Sequence, residues 1–219
     1  MSLIVSIKDK DRFVFASDSQ ASIGGSKEHS ATKIWRAPDM PELIVGSVGS
    51  MRISQIIQYS SIIDKNCIDE AINTEFIVNS LVPVLAATLK ANGVIIDATE
   101  DISFPTMSNS FVIAYQDKCW VIGNDFSVSE VDDYTALGSG SDIARGALFA
   151  STGLDPFTRS VISIAAASES DLYVDDGIML LSTKIYPEDE KLIKNALGVE
   201  EEKIKKAPAK KKKLTAKAR

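Results

Sequence analysis

Short stretches of β-branched and aromatic residues, separated by polar or Pro-containing segments, occupy the first quarter of the chain. This pattern is typical of strands. Four such stretches occur before residue 50, at 2–7, 12–18, 33–36 and 43–48. The polar residues 8–11 suit a short hairpin connection between the first two stretches. A Gly- and Ser-rich segment over 21–32 predicts a loop between the first and second pair of strands.

Apolar residues recur at helical spacing after residue 50. Ile53, Ile56 and Ile57 share one face of a predicted helix, and Ser50 has the side chain of an N-cap. The stretch 69–90 has the same period and contains Pro83, which predicts a kink. The second half repeats the theme, with predicted strands at 110–115, 119–122, 134–137 and 177–182 and predicted helices at 142–151, 155–168 and 187–196.

The order of these elements predicts the fold class. Strands come first, two helices follow, and the same order then repeats before a last strand and helix. This is not the alternation of strand and helix that builds a parallel sheet. It predicts an α+β fold in which two antiparallel sheets stack inside and helices cover them outside, a four-layer αββα sandwich. We expect this domain to span residues 1–198.

Charge is distributed unevenly along the chain. The whole sequence carries 24 basic and 30 acidic residues, but 203–219 holds nine Lys and Arg and no acid. The remainder therefore has 15 basic against 30 acidic residues, which is the opposite of a nucleic-acid-binding domain. The segment 199–219 is predicted to be a disordered tail, with docking to a partner or a polyanion as the alternative to a solvated chain.

Composition also excludes several classes of site. Cys67 and Cys119 are too few for a disulfide framework, and they lack metal-ligand spacing. The lone His29, in a polar loop, leaves little basis for a Ser-His-Asp triad or a zinc site. No signal peptide pattern is present, and no apolar run reaches the ~18 residues of a membrane span. We expect a cytoplasmic protein with no metal, no cofactor and no membrane partner.

The beginning of the chain holds the most informative chemistry. Ser2 directly follows Met1, and an aminopeptidase that removes Met1 would leave a hydroxyl and a free α-amine on one residue. The unperturbed pKa of such an amine is about 7.7–8.0, so near neutral pH it can act as the general base for its own hydroxyl. The alternative is an ordinary serine after an initiator methionine.

Five short motifs stand in the order and approximate spacing of the proteasome β-subunit family. They are Ser2–Val5, Phe15–Ser19, Thr32–Ile34, Val45–Gly49 and Ala136–Ser141. The chain resembles HslV and its kin among the N-terminal nucleophile hydrolases, and the resemblance runs from Ser2 to about Ser182.

The resemblance implies a catalytic group around Ser2. Ser2 matches the N-terminal nucleophile, which is more often Thr, and the missing methyl group implies slower turnover. Lys33 matches the lysine beneath the nucleophile, whose charge lowers the pKa of the α-amine. Asp18 matches the acid that holds this lysine charged. The alternative for Asp18 and Lys33 is a purely structural ion pair.

The resemblance also implies a substrate site. Gly46 matches the glycine whose backbone N–H faces the developing oxyanion, although a tight turn would also require glycine. Ile44 and Val48 match positions that line the first specificity pocket and imply an apolar preference, although core packing would explain them equally well. Ser22 matches a hydroxyl-bearing position that helps to hold the substrate backbone.

Two further residues match the family near the terminal amine. Ser139 matches a serine that hydrogen-bonds close to the amine, with a phosphate-binding loop as the rival reading. Asp171 matches an aspartate that supports Ser139. The family continues with a serine and a Gly-Gly pair, but this chain has Val174 and then Asp175 and Asp176. Two acids here would raise the pKa of a neighbouring amine, or would bind a cation.

Together these residues predict a self-compartmentalised peptidase that cleaves unfolded proteins or peptides. The chain would form a ring-shaped homo-oligomer, and an ATP-dependent unfoldase is a candidate partner. A small-amide hydrolase with the same nucleophile and a non-catalytic ring subunit are the alternatives.

Overall fold

The computed structural model describes residues 2–23, 26–29, 31–38, 40–60, 72–94 and 105–198. The strands are β1 (Leu3–Asp9), β2 (Arg12–Asp18), β3 (Gln20–Ile23), β4 (Ser26–His29), β5 (Ile34–Ala37), β6 (Met40–Val48), β7 (Ser110–Tyr115), β8 (Lys118–Ile122), β9 (Val128–Glu130), β10 (Tyr134–Gly138) and β11 (Ile178–Ser182). The helices are α1 (Met51–Tyr59), α2 (Thr74–Phe76), α3 (Val82–Ala91), α4 (Ser141–Ala150), α5 (Pro156–Ser168) and α6 (Asp189–Ala196). The predicted tail 199–219 and the start of the predicted helix 69–90 lie outside the described residues.

Two antiparallel sheets form the centre of the fold. A four-stranded sheet has the order β10-β1-β2-β11, and a five-stranded sheet has the order β5-β6-β7-β8-β9. Each strand pairs antiparallel with its neighbours. The first sheet therefore combines the start of the chain with two strands from its second half, which brings residues far apart in sequence to the beginning of β1.

Three separate apolar clusters lie between four layers. One fills the space between the sheets and includes Ile4, Phe15, Ile34, Ile44 and Val112. A second joins the four-stranded sheet to α4 and α5, and includes Leu3, Val5, Leu148 and Ile164. A third joins the five-stranded sheet to α1 and α3, and includes Val45, Ile53, Leu85 and Ile113. The predicted αββα sandwich is confirmed.

The apolar run at the start of β1 follows from this layering. Successive side chains of a strand point to opposite faces of its sheet. Leu3 and Val5 pack against the helices, while Ile4 packs against the other sheet. Both faces of β1 are buried, so its sequence is almost continuously hydrophobic instead of alternating.

The segment predicted as a loop over 21–32 contains a hairpin. β3 and β4 pair antiparallel, with Ile23 opposite Ser26. Gly24 and Gly25, which lie outside the described residues, stand between them in the sequence. A two-glycine connection is itself a hairpin signal, because tight hairpin turns require positive φ angles. The flanking residues are mostly polar and therefore indicated a loop instead of a pair of strands.

A π-helical turn lies just before Pro83, the position at which the sequence predicts a kink. Ile77–Leu81 form this turn between α2 and α3, and the N–H of Val82 donates to the carbonyl of Ile77. Pro83 has no N–H to donate to a preceding carbonyl, and a widened turn accommodates its ring.

One helical stretch of the described residues, Thr74–Ala91, is long and apolar enough to cross a membrane by length and composition. The sequence analysis had expected no such run. Its buried side chains, Ile77, Leu81, Leu85 and Leu89, all belong to the cluster against the five-stranded sheet. Only 22% of this stretch is buried, and a single helix that passes a test of length and composition is weak evidence of a membrane span.

Candidate active site

The structure places Ser2 at the beginning of β1, beside the end of β10. The N–H of Ser139 donates to the carbonyl of Ser2 over 2.9 Å. Between them, Gly138 has φ +100°, and a Cβ on it would lie 1.9 Å from the Ser2 carbonyl oxygen. Only glycine therefore lets β10 approach Ser2 this closely.

Asp18 and Lys33 form a buried ion pair next to Ser2. Lys33 Nζ lies 2.6 Å from Asp18 Oδ1, and the N–H of Leu3 donates to the same oxygen over 2.7 Å. The two side chains are 4% and 0% exposed. The shared oxygen holds the Lys33 ammonium close to the peptide that joins Ser2 to Leu3.

Burial acts on the pKa of both members of this pair. It raises the pKa of Asp18 and lowers the pKa of Lys33, because it removes both charges from water. The opposite charge of the partner works against each shift, as do the N–H groups of Leu3 and Gln20 at the Asp18 carboxylate. Asp18 opposes the effect of burial and favours the charged ammonium of Lys33, and this positive charge lowers the pKa of a neighbouring amine.

A second acid lies behind this pair. Asp175 is 8% exposed and accepts hydrogen bonds from the N–H of Ser19, over 2.9 Å, and from its hydroxyl. Its own N–H lies 3.5 Å from Asp18 Oδ2, and its charge favours the protonated form of Lys33. The neighbouring Asp176 is exposed. No cluster of three or more metal-ligating side chains occurs among the described residues.

Ser139 and Asp171 also come together as the sequence predicts. The hydroxyl of Ser139 donates to Asp171 Oδ2, and Asp171 Oδ1 accepts the N–H of Tyr173 over 2.8 Å. Since the N–H of Ser139 binds the Ser2 carbonyl, Asp171 is linked to Ser2 through a single residue.

A cavity of about 290 Å³ opens beside Ser2. Its polar lining comes from Ser2, Gln20, Thr32, Lys33, Ser47, Ser50 and Ser54, and its apolar lining from Ala21, Ala31 and Met51, with Gly49 at the end of β6. This volume accommodates one amino-acid side chain and part of a substrate backbone.

Three of the predicted substrate-site residues do not reach this cavity. Gly46, Ile44 and Val48 face the space between the sheets. A Cβ on Gly46 would lie 2.8 Å from Val112 Cγ1, so glycine at this position makes room for the core. Ser47 donates its N–H to the carbonyl of Lys33 on the β5 side. Because alternate N–H groups of a strand point in opposite directions, the N–H of Gly46 points to β7 and away from the cavity.

The sequence analysis missed Gly49, Ser47 and Ser54, which do line the cavity. Gly49 has φ +123°, and a Cβ on it would lie 2.2 Å from the Ser108 carbonyl oxygen. The signal that could have found it is a glycine at the change from strand to helix. Ser47 could have been found from the strand period, since it alternates with the core-facing Gly46 and Val48.

Two predictions fall on residues of which little is described. Ser22 lies in β3 opposite Lys27, one residue after Ala21 of the cavity, but its side chain is outside the described residues. Met1 is also outside them, so its removal stays a prediction.

No family model and no curated protein match this sequence. Solved structures do match. BPH from Thiobacillus denitrificans, in complex with epoxomicin, is 22% identical with a TM-score of 0.66, over 84% of this chain and 100% of that one. HslV from Trypanosoma brucei is 20% identical with a TM-score of 0.57, over 82% and 98% of the two chains. The Anbu complex from Pseudomonas aeruginosa is 16% identical with a TM-score of 0.61, over 82% and 80%. At these identities the likeness establishes the fold.

Proposed function

Since the chain has the fold of HslV-like N-terminal nucleophile hydrolases, we propose that it is a peptidase whose nucleophile is Ser2, exposed by removal of Met1. The observation that carries this proposal is the shared contact of Asp18 Oδ1. This oxygen binds both Lys33 Nζ and the N–H of Leu3, beside a cavity that Ser2 lines.

In the proposed reaction the free α-amine of Ser2 takes the proton of its own hydroxyl. The oxygen attacks the substrate carbonyl, and the amine then gives the proton to the leaving nitrogen as the peptide bond breaks. The resulting acyl-enzyme is an ester on Ser2. A water molecule, deprotonated by the same amine, attacks this ester and releases the second product, and the proton returns to the Ser2 oxygen.

Lys33 and Asp18 would tune the base. A positive charge near the α-amine disfavours a second one and lowers the pKa of that amine. Asp18 offsets the cost of burying the lysine ammonium and fixes it in place. Ser139, which binds the Ser2 carbonyl and Asp171, would hold the beginning of β1 in position.

Gly49 takes the oxyanion role that the sequence analysis gave to Gly46. It directly follows β6, where Ser47 donates its N–H to the carbonyl of Lys33, and Ser47 and Lys33 both line the cavity. Gly49 also lines the cavity, whereas Gly46 does not. A backbone N–H on this side of the cavity can stabilise the negative charge that develops on the substrate carbonyl.

The substrate side chain would enter a pocket of mixed character. Ser47 and Ser54 supply hydroxyl groups at its wall, and Ala21, Ala31 and Met51 supply apolar surface. We therefore expect uncharged side chains, polar as well as apolar, before the cleaved bond, in place of the purely apolar preference that Ile44 and Val48 had implied.

The active form would be a homo-oligomer that works in the cytoplasm on unfolded proteins or peptides, with an ATP-dependent unfoldase as a candidate partner. Several large apolar side chains on the surface support self-association, among them Phe149, Leu154 and Ile185, each at least half exposed. The Anbu complex, which shares this fold, forms a helical assembly.

Hydrolysis of a library of fluorogenic peptides tests the proposal. Purified protein without Met1 should cleave a subset of the peptides, and Ser2→Ala should abolish cleavage while Ser2→Thr retains it. Native mass measurement of the same sample should find an assembly. Failure of the processed wild type to cleave any peptide would contradict the proposed function, and a monomer would contradict self-compartmentalisation.

A further inference from the structure

Asn109, immediately before β7, is 1% exposed and makes several hydrogen bonds to the wall of the cavity. Nothing in the family resemblance assigns it a role. We propose that Asn109 is a positioning residue that holds the turn Gly49–Ser50, so that the N–H of Gly49 faces the substrate carbonyl. This inference rests on the proposed function.

The Asn109 side chain binds both backbone groups of Ser50. Its Oδ1 accepts the Ser50 N–H over 2.8 Å, and its Nδ2 donates to the Ser50 carbonyl over 3.1 Å. One side-chain amide thus takes up a donor and an acceptor on the residue after Gly49. Rotation of the Ser50 backbone would break both bonds and leave buried polar groups without partners.

The same amide also reaches the residues on the other side of Gly49. Asn109 Nδ2 donates to Ser47 Oγ over 2.8 Å, and Ser47 Oγ in turn accepts a hydrogen bond from Ser54 over 3.0 Å. Asn109 therefore joins the strand end before Gly49, the turn after it and the first turns of α1. These bonds hold the backbone on both sides of Gly49.

Steric contact completes this support. Gly49 has φ +123°, and its Cα packs so closely on Ser108 and Asn109 that a Cβ would lie 2.2 Å and 2.8 Å from their oxygen atoms. Glycine adopts positive φ angles readily, so it is this close contact that ties the turn to Ser108 and Asn109, two consecutive residues that lead into β7, the strand next to β6.

The alternative is that Asn109 only stabilises the fold, because it satisfies the N-terminus of α1. The side chain of Ser50, the N-cap residue, makes no capping hydrogen bond, and Asn109 takes up its backbone groups instead. If Asn109 has only this structural role, its substitution lowers the free energy of unfolding and leaves the rate of the folded enzyme unchanged. If Asn109 is a positioning residue, its substitution lowers kcat, because the oxyanion forms after the substrate has bound.

The experiment compares kcat and KM of Asn109→Ala and Asn109→Asp with those of the wild type on one fluorogenic peptide, per folded molecule. Ile164→Val is the matched control. Ile164 is fully buried, like Asn109, but it lies in α5 and packs against α4 and the four-stranded sheet, not against β6 or β7. We expect kcat to fall about 10- to 100-fold in both Asn109 variants and KM to change less than twofold. This fall in kcat does not exceed the one that removal of an oxyanion donor itself causes. Ile164→Val should lower the thermal midpoint and leave kcat unchanged.

Asn109→Asp keeps an oxygen for the Ser50 N–H, removes both donors to Ser47 and the Ser50 carbonyl, and adds a negative charge to a buried position beside the cavity. Because this charge would also oppose a developing oxyanion, the loss of kcat in Asn109→Asp should equal or exceed that in Asn109→Ala. A wild-type kcat in Asn109→Ala, with activity lost in Ser2→Ala, would overturn this inference alone. A wild type that cleaves no peptide would overturn the proposed function and this inference with it.

Discussion

Lys33 Nζ and the Leu3 N–H meet at one oxygen of Asp18, at 2.6 and 2.7 Å. Lys33 comes from the segment before β5, and Leu3 begins β1, so one buried carboxylate joins the two sheets at the place where Ser2 stands. The account of catalysis depends on this contact, because it brings a positive charge to the first residues of the chain.

Removing one member of the pair should cost both stability and activity. Lys33→Met leaves the buried Asp18 carboxylate without its counter-charge, and we expect a loss of about 3–5 kcal/mol in the free energy of unfolding. The double variant Asp18→Asn/Lys33→Met removes both charges and should recover much of that loss. Neither variant should cleave peptides, because neither has a cation near the α-amine.

Denaturant unfolding and peptide hydrolysis, measured on the same samples, check this prediction. Glu190→Gln is a suitable control, because Glu190 and Lys194 form an ion pair on the surface of α6. This substitution should leave both measurements unchanged. Full activity in the double variant would show that Asp18 and Lys33 form only a structural ion pair.

Gly138→Ala should displace Ser2. The new Cβ would overlap the Ser2 carbonyl oxygen at 1.9 Å, and both atoms belong to backbone that cannot swing aside. We expect kcat to fall by roughly 100-fold, as for a misplacement of about 1 Å. Gly93→Ala is the matched control, because Gly93 has φ +68° and open space around it. It carries the backbone strain without the steric clash, so a similar loss of kcat in both variants would contradict this explanation.

Asp175→Asn should shift the pH profile of kcat/KM. The negative charge of Asp175, beside Asp18 and Lys33, favours protonated groups and therefore raises the pKa of a neighbouring amine. Removal of this charge lowers the pKa of the α-amine, so the amine acts as a base at lower pH. The acidic limb of the profile should move to lower pH.

Asp176→Asn provides the comparison for this shift, since Asp176 is exposed and solvent screens its charge. It should move the limb less than Asp175→Asn does. A limb that stays in place or moves to higher pH in Asp175→Asn would show that Asp175 has no electrostatic effect on the base.

Substitutions on opposite faces of β6 should have different effects. Ser47→Leu places a larger side chain in the cavity and removes the hydroxyl that accepts hydrogen bonds from Asn109 and Ser54. We therefore expect kcat to fall for all peptides, and KM to rise more for peptides with bulky residues before the cleaved bond than for those with alanine there. Val48→Ala removes packing between the sheets and should lower stability by about 1–3 kcal/mol without a change in the order of preferred peptides. If Val48→Ala changes the order of preferred peptides and Ser47→Leu does not, the results would support the pocket lined by Ile44 and Val48 that the sequence predicts.

The sequence was sufficient for elements whose signals are local. α5 begins where Asp155 precedes Pro156, and the structure has the Asp155 carboxylate accepting the N–H groups of Phe157 and Thr158. β1 and β2 were predicted from their β-branched and aromatic runs. The Asp18 and Lys33 pair was predicted from motifs, and the structure brings the two side chains together.

The sequence was not sufficient where a role depends on the direction of a single N–H or on a distant partner. Gly46 and Gly49 stand three residues apart in one motif, and only the pairing of β6 with β5 and β7 shows that Gly46 lies within the sheet and Gly49 beyond its last pair. Asn109 is 60 residues from Gly49 along the chain and reaches it only because β7 pairs with β6. No local pattern carries that information.

The most direct test of the account is mass spectrometry of the protein before and after treatment with an epoxyketone inhibitor. We expect the untreated protein to lack Met1, and we expect one molecule of inhibitor to be added to the peptide that begins with Ser2. This adduct should be absent from Ser2→Ala. A retained Met1, or an adduct that forms equally on Ser2→Ala, would contradict the claim that Ser2 supplies both the attacking oxygen and its base.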